Sequence, residues 1–169
     1  MTKQKKQLNP QGLETYPLKT ILTENIFMLL WITIGTYLIW TFKPTIAWAY
    51  LAFTLTMVLF IMRILVCKNC YYHGKFCHTG WGKLSALYCK QGKIEHFGCG
   101  FSGAIIPIFY GSIALLPLIL GITTLIKAFS IVNLIVIVGF VVVVVMSSYT
   151  LRKKACGVCK MRDLCPGAA

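Results

Sequence analysis

The residues of this chain best suited to chemistry are its eight cysteines, six of which fall into two triplets of nearly one design. The first is Cys67-x2-Cys70-x6-Cys77 and the second Cys156-x2-Cys159-x5-Cys165, with corresponding members 89, 89 and 88 positions apart. Two cysteines separated by two residues close one tight turn with both sulfurs on the same side. Tetrathiolate sites for zinc or iron are commonly assembled from two such turns. The remaining thiols, Cys89 and Cys99, lie between the triplets. Two groupings follow. In one, Cys67, Cys70, Cys156 and Cys159 share a single site. In the other, each triplet holds its own ion or cluster, with Cys89 or Cys99 completing the first and the other serving the second. The sequence leans toward separate sites, because a shared one leaves the third cysteine of each triplet idle.

An iron–sulfur cluster is favoured over zinc. The proline after Cys165 recurs in ferredoxin-type ligand runs, although their compact C-x2-C-x2-C spacing is absent. The spacings also suit zinc. Lys68, Lys75, Lys154 and Lys160 offset the negative charge of either centre. Lone cysteines beside a membrane are often lipidation sites or small apolar residues, but eight in two patches argue against that. A redox dithiol at Cys156-Gly-Val-Cys159 beside Lys153 and Lys154 ranks lower, since no thioredoxin-like βαβ pattern surrounds it.

The elements that must position these thiols are apolar helices. Four runs stand out: Ile26–Phe42, Ile46–Val66, Ala104–Ile126 and Phe129–Tyr149. About 20 helical residues cross a bilayer core, and 17 to 25 are tolerated. The run Ile131–Met146 is interrupted only by Asn133 and Gly139, so it lacks the polar face of a water-soluble helix. The fold class is therefore all-α integral membrane, with four transmembrane helices. The chain carries 17 Lys+Arg against 4 Asp+Glu. These cations crowd the N-terminal segment, the central loop and the tail, whereas Lys43 and Lys127 alone mark the two short turns. By the positive-inside rule both termini and the central loop are cytoplasmic, in a multi-pass protein of the cell membrane. Topology and anionic lipid account for the basic balance, and no nucleic-acid role is required.

The chain divides into a basic N-terminal segment (1–25), a hairpin (26–66), a Cys-rich loop (67–102), a second hairpin (103–151) and a Cys-rich tail (152–169). Each hairpin starts and ends inside, so the two read as parallel repeats about an axis along the membrane normal. Residues 1–20 read as mobile or docking, and Thr23-Glu24-Asn25 as the cap of the first helix. Arg63 is placed to snorkel to the cytoplasmic surface. Within the loop, Gly82–Gly92 suggests a short amphipathic helix with Leu84, Leu87 and Tyr88 on one face, lying in the headgroup layer or over the cysteines.

His73, His78 and His96 read as solvated loop residues, with His73 or His78 as a substitute zinc ligand. None is placed for a haem in the bundle. Gly98-x-Gly100-x-x-Gly103 matches a dinucleotide fingerprint by letters only, since no strand precedes it. Pro107 and Pro117 should kink the third helix and free carbonyls that need partners. Gly103, Gly111 and Ser112 suggest a close helix contact. No Asp, Glu or His falls within the apolar runs, which disfavours a carrier of charged substrates. No nucleophile–base pair supports catalysis independent of metal. The sequence thus points to a membrane protein with a metal centre held by cytoplasmic cysteines, passing electrons or anchoring a redox complex. Its partners would be lipid and other membrane or cytoplasmic redox proteins. A zinc-clamped scaffold is the alternative, and a metal-handling or thiol-redox protein the third reading.

Overall fold

A computed structural model describes residues 8–97 and 101–165, with the backbone alone for 101–104. Helices α1 (Leu18–Phe42) and α2 (Pro44–Thr56) form the first hairpin, and α2 continues through a π-helical turn, Met57–Ile61, into α3 (Met62–Leu65). The loop carries α4 (Trp81–Tyr88). Helices α5 (Phe101–Lys127) and α6 (Ile131–Val145) form the second hairpin, and α6 continues through a π-helical turn, Met146–Leu151, into α7 (Arg152–Gly157). No strand occurs among the described residues, only an isolated bridge between Leu13 and Cys159. Four helical spans are long and apolar enough to cross a membrane: Leu18–Phe42, Pro44–Asn69, Ile105–Lys127 and Ile131–Gly157. The chain has the build of a multi-pass membrane protein.

The first helix starts eight residues earlier than its apolar run. Pro17 is extended (ψ 147°), and its carbonyl accepts the first helical bonds, from the Thr20 and Ile21 amides. Proline fixes φ and has no N–H to leave unpaired, so the helix opens after it. Thr23 and Asn25 therefore sit inside α1 rather than capping it. Thr23 donates to the Lys19 carbonyl at 2.9 Å, and the Asn25 amide donates to the Thr79 carbonyl at 2.9 Å, tying α1 to the central loop. Pro44 opens α2 for the same reason, after a one-residue turn at Lys43.

Helix α1 packs against α2, α5 and α6, which makes it the centre of the bundle. Leu38, Ile39, Phe109, Ile113 and Phe140 are buried there. Helix α5 runs through both prolines. Pro117 has no N–H to give to the Ile113 carbonyl four residues back. Tyr50 Oη and Trp31 Nε1 donate to that oxygen instead, at 3.0 and 3.3 Å. The neighbouring helices thus supply the partner that a freed carbonyl in lipid requires. The close approach lies elsewhere than Gly111 and Ser112. A Cβ at Gly111 would meet nothing within 4 Å, and Ser112 is exposed, whereas a Cβ at Gly35 would lie 3.0 Å from Tyr50 Oη and 3.1 Å from Pro117. The backbone of Gly103 is helical, and its surroundings fall outside the described residues.

The two hairpin turns meet at one end, where Lys127 Nζ lies 5.5 Å from the centre of the Phe42 ring. The N-terminal segment, the central loop and the tail gather at the other, basic end. Asn9 and Leu13 donate backbone N–H bonds to Lys160 and Val158 of the tail, and Tyr16 donates to Phe76 of the loop. Residues 8–17 therefore form a strap across loop and tail rather than a free arm. Arg63 does not snorkel to the surface. It is buried, with its guanidinium 5.8 Å from the centre of the Tyr88 ring of α4. Helix α4 turns Trp81, Gly82 and Ser85 inward and leaves Leu84, Leu87 and Tyr88 exposed, as the amphipathic reading requires.

Candidate thiol-lined metal site

Each triplet begins where a span ends. Cys67 and Cys156 follow α3 and close α7, just beyond the two π-helical turns, which themselves start 89 positions apart, at Met57 and Met146. The turns that follow match bond for bond at that offset. The Cys70 amide donates to the Cys67 carbonyl at 3.2 Å, as Cys159 does to Cys156 at 3.1 Å. His73 bonds Cys70 as Arg162 bonds Cys159, and Lys75 bonds Tyr72 as Leu164 bonds Met161. Tyr72 and Met161, equivalent in this register, are both buried.

In each turn the second sulfur also accepts an amide two residues on. Met161 N–H donates to Cys159 Sγ at 3.4 Å, and the Tyr72 amide makes the corresponding bond to Cys70. Such donors favour thiolate over thiol and tune a thiolate-bound metal. Cys77 Sγ accepts the Gly82 N–H at 3.3 Å and lies 3.3 Å from the Thr79 hydroxyl. Burial works the other way. It pushes the Cys70 and Cys159 thiols up, with the neighbouring thiols adding to the rise. Seven cysteines lie among the described residues, and all are free thiols.

Both triplets face one cavity. Cys67, Cys70, Cys77, Cys156, Cys159 and Cys165 line a space of about 160 Å³ at the basic end of the bundle. The structure therefore brings the two triplets to a single space, where the sequence leans toward two. Cys89 does not line that space; its Sγ donates to the Ser85 carbonyl at 3.4 Å and lies 4.0 Å from His73 Nε2. Cys99 lies outside the described residues, as do Gly98, Gly100 and Pro166.

Two residues at the cavity depart from their leading sequence readings, His78 as a solvated loop residue and Glu24 as part of a helix cap. His78 is not a solvated loop residue. It lines the space, packs edge-on to Tyr16 at 6.0 Å, and is held down to about 4 by burial and the nearby Arg152 charge. Its ring is thus neutral, the form that binds metal. Glu24 is the second. It lies in α1, buried, on the cavity wall. The signal for both was position: Glu24 is the one acid between the strap and the first apolar run, and His78 adjoins Cys77. Arg152 also lines the cavity, with its guanidinium 4.9 Å from the centre of the Tyr110 ring. His73 bonds the Cys89 carbonyl, and His96 is exposed.

Among the described residues no three His, Cys, Asp or Glu side chains are grouped as tightly as a single ion needs. Tetrahedral zinc with bonds of about 2.3 Å holds its sulfurs about 3.8 Å apart. The thiols are spread around a larger space instead, and a cavity of about 150 Å³ accepts a benzene ring. The donor set and volume therefore fit a group of several atoms better than a bare ion. No family model, curated protein or solved structure matches this chain.

Proposed function

We propose that this chain is a membrane-embedded electron carrier that holds an iron–sulfur centre in the six-cysteine cavity, between a soluble donor and a partner in the bilayer. The observation that carries the reading is the convergence of both triplets on one space of about 160 Å³. Four thiolates suffice for a cluster. Six supply that number with two to spare, and the amide donors at Cys70, Cys77 and Cys159 make those three the leading ligands. Arg152 and Arg162 offset the charge of a thiolate-bound cluster. The hairpins act as parallel repeats, each delivering one cysteine turn to the cytoplasmic end. Cys89 and Cys99 are spare thiols in this arrangement.

Anaerobic purification in detergent, with metal analysis, sulfide assay and an absorption spectrum, tests the reading. The expected result is iron with acid-labile sulfide and a broad band near roughly 400 nm. Cys70→Ser or Cys159→Ser should remove colour and metal while the protein stays inserted, and Cys89→Ser should not. Colourless zinc lost in the same variants would make the cavity a clamp joining the hairpins. Metal content unchanged in both variants would refute either version.

A further inference from the structure

A second cavity adjoins the thiol site. It is a groove of about 290 Å³ between the start of α1 and helix α7, walled by Tyr16, Thr20, Thr23 and Ala155 and flanked by Lys19 and Lys154. Glu24 lines both spaces, so one carboxyl side chain stands on the shared wall. Tyr16 reaches the thiols from the groove side. Its hydroxyl donates to the Ala155 carbonyl at 2.7 Å and adjoins the Cys159 sulfur. On either side of Thr23 along α1, Leu22 and Ile26 are exposed apolar residues on a helix long and apolar enough to cross a membrane.

We propose that this groove binds the head group of a membrane quinone, which exchanges electrons with the thiol-held centre across the Glu24 wall. The inference rests on reading the thiol cavity as an electron-carrying site, and it names the partner in the bilayer. Ring, tail and reaction each find a counterpart. A cavity of about 150 Å³ takes a benzene ring, so the groove has room for a substituted or fused one. The Thr20 hydroxyl and the two lysine ammonium groups meet its carbonyl oxygens, and the exposed face of α1 meets an isoprenoid tail. A lipid phosphate would also suit the two lysines, but it has no use for the Glu24 carboxyl, whereas a reaction that takes up protons needs such a group.

The reaction balances as quinone plus two electrons plus two protons giving quinol. The electrons would come one at a time through the group that the six cysteines hold, with a soluble electron-carrier protein as their source. Both carbonyl oxygens become hydroxyls. Glu24 passes on each proton and regains it from water at the basic end.

The test uses the full chain in phosphatidylcholine nanodiscs and a short-tailed naphthoquinone, with binding corrected for uptake by empty discs. Wild-type protein should bind one equivalent saturably. Thr23→Phe and Val158→Trp fill the groove from opposite walls, and each should weaken binding at least tenfold. Leu115→Phe, on the exposed face of α5, should not. In stopped flow, protein reduced beforehand with dithionite should be reoxidised by the quinone, and Glu24→Gln should slow that step at least tenfold. The proposal is overturned by uptake no greater than in empty discs, by equal binding in both groove variants, or by displacement with phosphatidylglycerol without any reoxidation. Binding is also measured on metal-free protein. Protein lacking iron and colour would thus sink the metal reading while saturable quinone binding stood, and failure of this proposal would leave iron and colour in place.

Discussion

Removing one hydroxyl should loosen the strap that packs against Tyr72, a wall residue of the thiol cavity. Tyr72 is buried, its Oη donating to the Leu13 carbonyl at 2.6 Å and accepting the Lys160 N–H at 3.1 Å. It is thus the side chain through which loop, strap and tail meet. In Tyr72→Phe the ring still fills its space, so the packing loss is small, but two backbone groups lose a partner. A net hydrogen bond is worth about 0.5–1.5 kcal/mol, and a buried group left unpaired costs about 1–3 kcal/mol. Leu13 is partly exposed, and water re-solvates its carbonyl when the strap lifts, which discounts the second figure. The strap should therefore lose about 1–2 kcal/mol, a factor of roughly 5–30 in its open population.

The assay is site-resolved labelling of the metal-free protein with a water-soluble maleimide. Where opening is fast relative to labelling, the rate follows the open population. Cys70 is the proper reporter, because the amide that serves its sulfur belongs to the Tyr72 backbone and survives the substitution. Cys159 is less suitable, since its thiol also senses the lost hydroxyl. Cys70 should label roughly tenfold faster, and Cys89, outside the cavity, at an unchanged rate. A change under twofold at Cys70 would refute the strap as a cover. An equal rise at Cys89 would mean general loosening and refute it too.

Three further outcomes follow from single contacts. Gly82→Ala would put its Cβ 2.1 Å from the Tyr72 carbonyl oxygen, a backbone atom that cannot swing aside, and would disturb the N–H bond to Cys77. Overpacking of this kind costs about 1–3 kcal/mol, so metal retention on dialysis against a chelator should fall, as Gly111→Ala should not make it do. At the Ile113 carbonyl, Tyr50→Phe and Trp31→Phe should each cost under about 1 kcal/mol, and the double variant more than their sum, by roughly 1 kcal/mol, because only it leaves the oxygen bare. Detergent-unfolding curves read this, and strict additivity would sink it. Glu14 is held down to about 2, first by Lys160, then by Tyr71 and Lys75. A carboxyl lowered on folding contributes fully above its ordinary 4.5, and the contribution is lost as pH falls toward 2. Hydrogen exchange at Leu13 and Tyr16, corrected for intrinsic rate, should therefore stay flat from pH 8 to 5 and quicken below, and Glu14→Gln should abolish that step.

The spans were legible because lipid demands one thing of a crossing segment, and about 20 apolar residues state it without tertiary context. The partner for Pro117's missing N–H was legible as a need, though not as Tyr50 and Trp31, which come from other helices. What escaped the sequence was burial set by chain return. Glu24, His78 and Arg63 each look solvated in a local window, being polar residues near basic loops. They are covered because the strap, 139 residues in sequence from its contact at Ala155, crosses the tail, and because α4 folds over the end of α3. The cysteine grouping was ambiguous for the same reason. Spacing fixes a turn, whereas the meeting of two turns depends on how the hairpins pack.

The matched offset carries more weight than spacing alone. Arg63 and Arg152 stand four residues before Cys67 and Cys156, again 89 apart, yet they do different work. Arg152 faces the cavity beside Tyr110, while Arg63 lies under Tyr88 of α4. A purely structural pair would be used alike on both sides. The local turns stay equivalent, down to the amide given to the second sulfur, while the surrounding charges diverge. A thiol site with one polar side would have that pattern: the cysteine turns agree, and the flanking cations differ so that one wall of the site differs from the other. Glu24, the acid shared with the second groove, lines the same cavity as Arg152. The asymmetry therefore coincides with the wall through which a membrane partner would be reached, and exchanging Arg63 and Arg152 for lysine should test it: Arg152→Lys should shift the potential of a bound centre more than Arg63→Lys does, and Arg63→Lys alone should loosen the α4 cover.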